Sequence, residues 1–207
     1  MDFTFSFHLN FLADEELPDA RRLSLVKDLL HLLSHIDWLI STLLKISKLD
    51  AGTVEFAKDR VQISELIRKA AKPLAIPMEL RNQQLVVKAE GNEHFEGDLA
   101  WTAEAIENIL KNCMEHTPNG GTLTIEAKET PIYTELVITD TGTGIAPEDL
   151  PHLFERFYKG KNSSNSNVGI GLALSRMIIA AQNGTIKAEN RKNGGALFIV
   201  RFYKCTV

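Results

Sequence analysis

The chain of 207 residues has only two cysteines, Cys113 and Cys205. Two thiols so placed give neither a disulfide framework nor a zinc-ligand spacing, which excludes a small stapled scaffold and a zinc module. Positive charge is not in surplus either. The formal charge of −4 excludes a general nucleic-acid binder, so no direct nucleic-acid contact is expected. No apolar run reaches the length needed to cross a bilayer. The start carries Asp2 and no basic region, so it lacks a signal-peptide pattern. A cytoplasmic chain without a membrane segment is expected. What remains is globular in character, at 44% hydrophobic and 24% charged. This length fits one or two domains and can bury a substantial core. Cys113, inside an apolar helical stretch, is expected to be a reduced core thiol.

Three stretches carry the chemistry. The central one is Asp140-Thr141-Gly142-Thr143-Gly144-Ile145, directly after the apolar run Leu136-Val137-Ile138. It reads as a buried strand ending in a carboxylate and a turn that lets backbone approach a ligand. An aspartate there can accept a hydrogen bond from an exocyclic amine such as that of adenine. Upstream, a helical pattern opens at the N-cap candidate Asp98 and exits at Pro118, Gly120 and Gly121. Asn108 and Asn112 fall one turn apart on one face of it. They offer an oxygen ligand for a hard cation, Mg²⁺, and a group that orients phosphates. Downstream, Gly169-Ile170-Gly171-Leu172-Ala173-Leu174-Ser175 opens an apolar helix running to Ala181. Free N–H groups at such a helix start suit a polyphosphate. Each stretch alone is unspecific, since Gly-rich turns and solvated asparagines are common.

In this order the three resemble the N, G1 and G2 boxes of sensor histidine kinases, within the gyrase/Hsp90/histidine-kinase/MutL ATPase superfamily. Phe154-Glu155-Arg156-Phe157-Tyr158-Lys159 resembles that family's F box. The resemblance implies ATP and Mg²⁺ as cofactors. It makes Asp140 the adenine-binding aspartate and Asn112 the Mg²⁺ ligand. Asn108 takes the catalytic position that carries a general-base glutamate in superfamily ATPases; an amide there suits a kinase that must not hydrolyse its ATP. Gly142, Gly144 and Ile145 belong to the adenine pocket. Tyr158, Lys159, Gly169, Ile170, Gly171 and Leu172 belong to the phosphate end and its lid. Residues 159–168, polar and without much to bury, form the expected lid, with Arg156, Lys159 and Lys161 placed to neutralise phosphate. Glu115, His116 and Asn167 depart from the family pattern.

A long helix is expected from Asp19 or Ala20 to Leu49. Leu25, Leu29, Leu32, Ile36, Leu39, Leu43 and Ile46 form one seam; Leu23, Val26, Leu30, Leu33, Ile40 and Leu44 form a second beside it. Two adjacent seams suit a bundle rather than a two-stranded coil. A homodimer through these helices is expected, as in the family's dimerisation and phosphotransfer hairpin, with a response-regulator receiver domain as the downstream partner. Residues 1–12 look like the tail of the first hairpin helix. Lys48-Leu49-Asp50-Ala51-Gly52 resembles the family's junction, giving a partial hairpin at 1–50 and a catalytic domain at 51–207. The family's phosphoacceptor string, histidine followed by an acid and later a proline, is absent. His8 lacks that context, and His31 and His35 lie on the second helix. The acceptor is expected upstream of Met1, and the longer parent could be anchored in the membrane.

Along the catalytic part, strands are expected at 54–56, 61–63, 85–87, 122–127, 133–139, 185–188 and 196–202. Ser64 is expected to cap a helix that Pro73 and Pro77 kink or split, and His94 to be solvated. The fold class is α+β, a two-layer sandwich of a mixed sheet with helices on one face, preceded by the long bundle-forming helix. Two rivals share parts of this reading: an anti-sigma-type serine kinase, and a pseudokinase scaffold that only binds partners.

Overall fold

The computed structural model describes residues 18–160 and 168–204. The expectations for residues 1–12, His8, Lys161, Asn167, Cys205 and the body of the proposed lid lie outside the described residues. The chain divides into two units, Met1–Ser47 and Lys48–Val207.

Helix α1 (Asp19–Asp50) accounts for most of the first unit, with Asp19 in its first turn, where the helix dipole favours an acid. The Ser34 and Thr42 hydroxyls donate to the carbonyls of Leu30 (2.9 Å) and Trp38 (2.7 Å), so neither is left unsatisfied. Every member of the second seam is exposed: Leu23, Val26, Leu30, Leu33, Ile40 and Leu44. By length and composition alone α1 could cross a membrane, which corrects the expectation that no segment is that long and apolar. The reason lies between Leu29 and Ile46, where only Asp37 and Lys45 are charged; two wide seams leave little room for charge.

The second unit holds β1 (Asp59–Gln62), α2 (Ile63–Ala71), a 3-10 turn (Lys72–Leu74), α3 (Ala75–Leu80), β2 (Gln84–Lys88), β3 (His94–Gly97), α4 (Leu99–His116), β4 (Thr122–Glu129), β5 (Tyr133–Asp140), a 3-10 turn (Leu150–His152), α5 (Gly171–Ala181), β6 (Gly184–Asn190) and β7 (Ala196–Tyr203). Five strands form one sheet in the order β2-β4-β5-β7-β6, and β1 pairs with β3 in a second. The β2–β4 pair is parallel and the others antiparallel. Helices α4 and α5 pack together and against one face of the sheet.

Strict alternation explains how the site is aimed. Thr134, Leu136, Ile138 and Asp140 on β5, and Ala196, Phe198, Val200 and Phe202 on β7, are the buried members of their strands. A period of two therefore sends Asp140 to the same face as the core residues Leu136 and Ile138. Opposite them stand Ile106, Ile109 and Leu110 of α4 and Leu174, Ile178 and Ile179 of α5, all buried.

Four local expectations change. Residues 54–56 are not a strand; the first strand begins at Asp59. Ile63 opens a helix instead of closing a strand, and the cap position falls on Gln62 rather than Ser64. The physical reason is that the Ile63 N–H donates to the Glu93 carbonyl (2.9 Å) and its side chain is fully buried. Pro73 and Pro77 do split the helical segment, into α2, the turn and α3. His94 is half-buried and paired: its Nδ1 lies 3.1 Å from Glu129 Oε2, which also accepts the His94 backbone N–H at 2.8 Å. Burial pushes the Glu129 carboxyl up, but Lys204 and His94 outweigh it and hold the group below the ordinary glutamate range.

Candidate functional site

The candidate site starts at the end of β5. Asp140 is 1% exposed, and a carboxylate buried this deeply is costly unless it is hydrogen-bonded. Its Oδ1 accepts the backbone N–H of Gly142 (2.8 Å) and of Ala196 (3.2 Å). Its carbonyl oxygen accepts from Arg191 Nη1 (2.9 Å). Cys113 of α4 is buried beside it; burial first, then the Asp140 charge, raise the thiol well above its ordinary range, so it stays protonated. The expected core thiol is thus also a neighbour of the carboxylate.

Glycines are required here by space. A Cβ at Gly142 would stand 2.3 Å from the His116 carbonyl oxygen, so this turn lies directly on the end of α4. Gly144 has a φ of 78°, a conformation that side chains resist. Ile145 is clipped at both backbone groups: its N–H donates to Asn190 Oδ1 (2.7 Å), and its carbonyl accepts from Asn190 Nδ2 (2.6 Å). Gly195 has a φ of 84°, and a Cβ there would fall 2.0 Å from the Asp140 carbonyl oxygen. Asn190, Arg191 and Gly195 did not emerge as site residues from the sequence. The turn Asn193-Gly194-Gly195 joins the strands expected at 185–188 and 196–202, but nothing in that stretch announces the β5–β7 pairing that lays it against Asp140.

Asn108 and Asn112 follow on α4, both partly exposed. Asn108 reaches the first residue of α5: a Cβ on Gly171 would lie 3.4 Å from Asn108 Oδ1. Ser175 ties the helices together by donating to the Ala105 carbonyl (2.9 Å). At the start of α5, Ile170 occupies the cap position, and its apolar side chain makes no cap bond; among the described residues no side-chain cap is seen. The first N–H groups of a helix and the positive end of its dipole suit an anion. Leu172 lies in that first turn.

Tyr158 donates its hydroxyl to Asp149 Oδ1 (2.7 Å), and that bond, with burial after it, raises the phenol above its ordinary range. Phe157 donates its N–H to the Gly169 carbonyl (2.9 Å). Gly169 has a φ of 74°, and a Cβ there would sit 2.1 Å from the Tyr158 carbonyl oxygen. Lys159 is exposed. Arg156 departs from the expectation that it faces phosphate: its guanidinium makes two bonds to Asp50, at 2.6 and 2.7 Å. Among the described residues no cluster of three His, Cys, Asp or Glu side chains is arranged to hold a metal.

Sequence and structure comparisons identify the family and the fold. Residues 97–205 match the family described as "Histidine kinase-, DNA gyrase B-, and HSP90-like ATPase". The match spans more than half of the chain, which therefore belongs to that family; it is the catalytic domain of a sensor histidine kinase with its preceding helix. The chain is similar to the heme sensor protein HssS of Staphylococcus saprophyticus, at 28% identity over 95% of this chain and 42% of that protein. It is 32% identical to the sensor histidine kinase YvrG of Bacillus subtilis over 57% of this chain and 21% of that one. The chain thus spans less than half the length of these relatives. Among solved structures, the fold is that of the Acinetobacter baumannii histidine kinase AdeS, with a TM-score of 0.82 at 20% identity, covering 99% of this chain and 95% of that one. Full-length ShkA in complex with AMPPNP gives a TM-score of 0.72 at 20% identity, over 91% of this chain and 39% of that one.

The brace on Asp140 can be measured with two neighbouring glycines. Gly194 also has a positive φ of 88°, but a Cβ there meets nothing nearer than 4.0 Å. Gly195→Ala is therefore expected to cost more than about 2 kcal/mol in urea unfolding, and Gly194→Ala about 1 kcal/mol, the conformational part alone. Equal losses would show that no tight contact braces Asp140.

Proposed function

We propose that this chain is the ATP-binding part of a histidine kinase that moves the γ-phosphoryl group of ATP to a histidine, from which a response-regulator aspartate takes it. The observation that carries this reading is the pairing of two features in one unit. A buried, braced carboxylate closes β5, and a helix start with apolar Ile170 at its cap position lies against Asn108. The carboxylate retains acceptor capacity for the adenine amine. The α5 start at Gly169, Ile170, Gly171 and Leu172 receives phosphate oxygens through backbone N–H groups. Gly142, Gly144 and Ile145 shape the adenine end, and Tyr158 and Lys159 the phosphate end.

Asn112 presents a hard amide oxygen, which fits Mg²⁺ as one ligand beside phosphate and water; bound there, the ion would neutralise phosphate charge. Asn108 cannot take a proton from water, so it orients the phosphate chain without promoting hydrolysis. In-line attack then falls to an incoming histidine rather than to water. ShkA was solved with AMPPNP, consistent with nucleotide in a cleft of this type. The reaction belongs on the cytoplasmic side, where ATP is held.

Neither His31 nor His35 has the surroundings of an acceptor; both lie on α1, and His35 stacks on Trp38 with ring centroids 5.7 Å apart. The second seam of α1 is the surface we assign to a homodimer. An exposed row of leucines this long is stable in water only when another helix covers it.

Three measurements test these assignments. Asp140→Asn is expected to weaken Mg-ATP binding by about 2 kcal/mol, roughly thirtyfold, in calorimetry; an unchanged affinity removes the adenine role. With γ-labelled ATP, no label is expected on His31 or His35, and label on either rejects their exclusion. In sedimentation, the wild-type chain is expected to be a dimer and the Leu30→Glu/Leu33→Glu variant a monomer with ATP affinity retained. A wild-type monomer at high concentration would contradict the assigned dimer face.

A further inference from the structure

Asp50 is the last residue of α1, and from Lys48 onward this helix belongs to the larger unit. A carboxylate at a helix C-terminus is disfavoured by the dipole, so helix stability does not explain the acid at this position. Its partner does. Both Asp50 oxygens engage the Arg156 fork, and Arg156 Nη2 also lies 3.3 Å from Met177 Sδ on α5. The pairing holds the Asp50 carboxyl below its ordinary range, despite the opposing effect of burial.

The segment that Arg156 begins is strained. Phe157 is a bulky side chain with a φ of 64°, a conformation that persists only where the surroundings over-determine it. It is held at three points: Arg156 by Asp50, the Phe157 N–H by the Gly169 carbonyl, and the Tyr158 hydroxyl by Asp149. Gly169 in turn fits directly beneath the Tyr158 carbonyl, one residue before Ile170 at the cap position of α5. A displacement at Arg156 therefore passes by contact to the start of α5.

We infer that Asp50 is a positioning residue for the phosphate end of the site, acting through Arg156 to hold the Phe157 turn against Gly169. This rests on the nucleotide reading above. The clamp touches nothing at Asp140, so it distinguishes triphosphate from adenosine. It acts on the nucleotide's tail and leaves the purine end alone.

The test uses the whole chain with Asp50→Asn, Arg156→Gln and the charge swap Asp50→Arg/Arg156→Asp. Amide exchange at Phe157 is expected to be about tenfold faster in both single variants, because its bond to Gly169 opens more readily, and to slow again in the swap. Mg-ATP affinity is expected to fall roughly fivefold in the single variants, the scale of one well-aligned, half-exposed ion pair, with adenosine affinity unchanged. Unchanged Phe157 exchange and unchanged ATP affinity would overturn the clamp. So would equal weakening of ATP and adenosine, which a merely structural role produces. Wild-type chain that binds neither ligand would instead bring down the nucleotide reading, and the positioning role with it.

Discussion

The constraint on which the rest depends is a carboxylate taken out of water. Asp140 is 1% exposed, and such a group survives in a core only if its oxygens find donors. The donors are backbone N–H groups from two places far apart in sequence, Gly142 and Ala196. Much of the surrounding chemistry follows from bringing them close. Gly142 and Gly195 have no room for a Cβ because the turns carrying them press on the end of α4 and on Asp140 itself. The β5–β7 pairing, with Thr139 opposite Leu197, delivers the second donor.

From that carboxylate the proposed nucleotide site is laid out by two helices. Helix α4 carries Asn108 and Asn112, and α5 starts against Asn108 with apolar Ile170 at its cap position. One end of the proposed site thus offers an acceptor, the Asp140 carboxylate, and the other the N–H groups of a helix start. That polarity matches a purine amine at one end and a phosphate chain at the other. The Phe157–Gly169 bond and the Asp50–Arg156 pair extend the second end outward to the last turn of α1.

The parts of this arrangement legible in the sequence are those written in local pattern. Alternation marks β4 and β5, the Asp98 cap opens α4, and Pro73 and Pro77 divide the first helical segment where ring geometry requires. The three glycine- and asparagine-bearing stretches point to one site through their order, which resembles that of the sensor histidine kinase motifs. What stayed hidden was settled by distant contacts. Asn190 clips Ile145 across 45 residues, and nothing in either stretch announces the other. His94 looked solvated because Glu129, its partner, is 35 residues away. Arg156 sat among phosphate-facing residues by position, yet Asp50 takes its fork. Ile63 carries β propensity but begins a helix because its N–H is taken by Glu93. The two seams of α1 are legible in the sequence, but periodicity describes faces, not the continuous stretch that makes this helix long and apolar enough to cross a membrane.

The measurement that bears most directly on the account is a structure of this chain with Mg²⁺ and a non-hydrolysable ATP analogue. It is expected to place the exocyclic amine of the purine within hydrogen-bond distance of the Asp140 carboxylate, with phosphate oxygens at the N–H groups that open α5 and the metal beside Asn112. A well-ordered structure in which the protein's own side chains fill that cleft, with the purine elsewhere or absent, would contradict it.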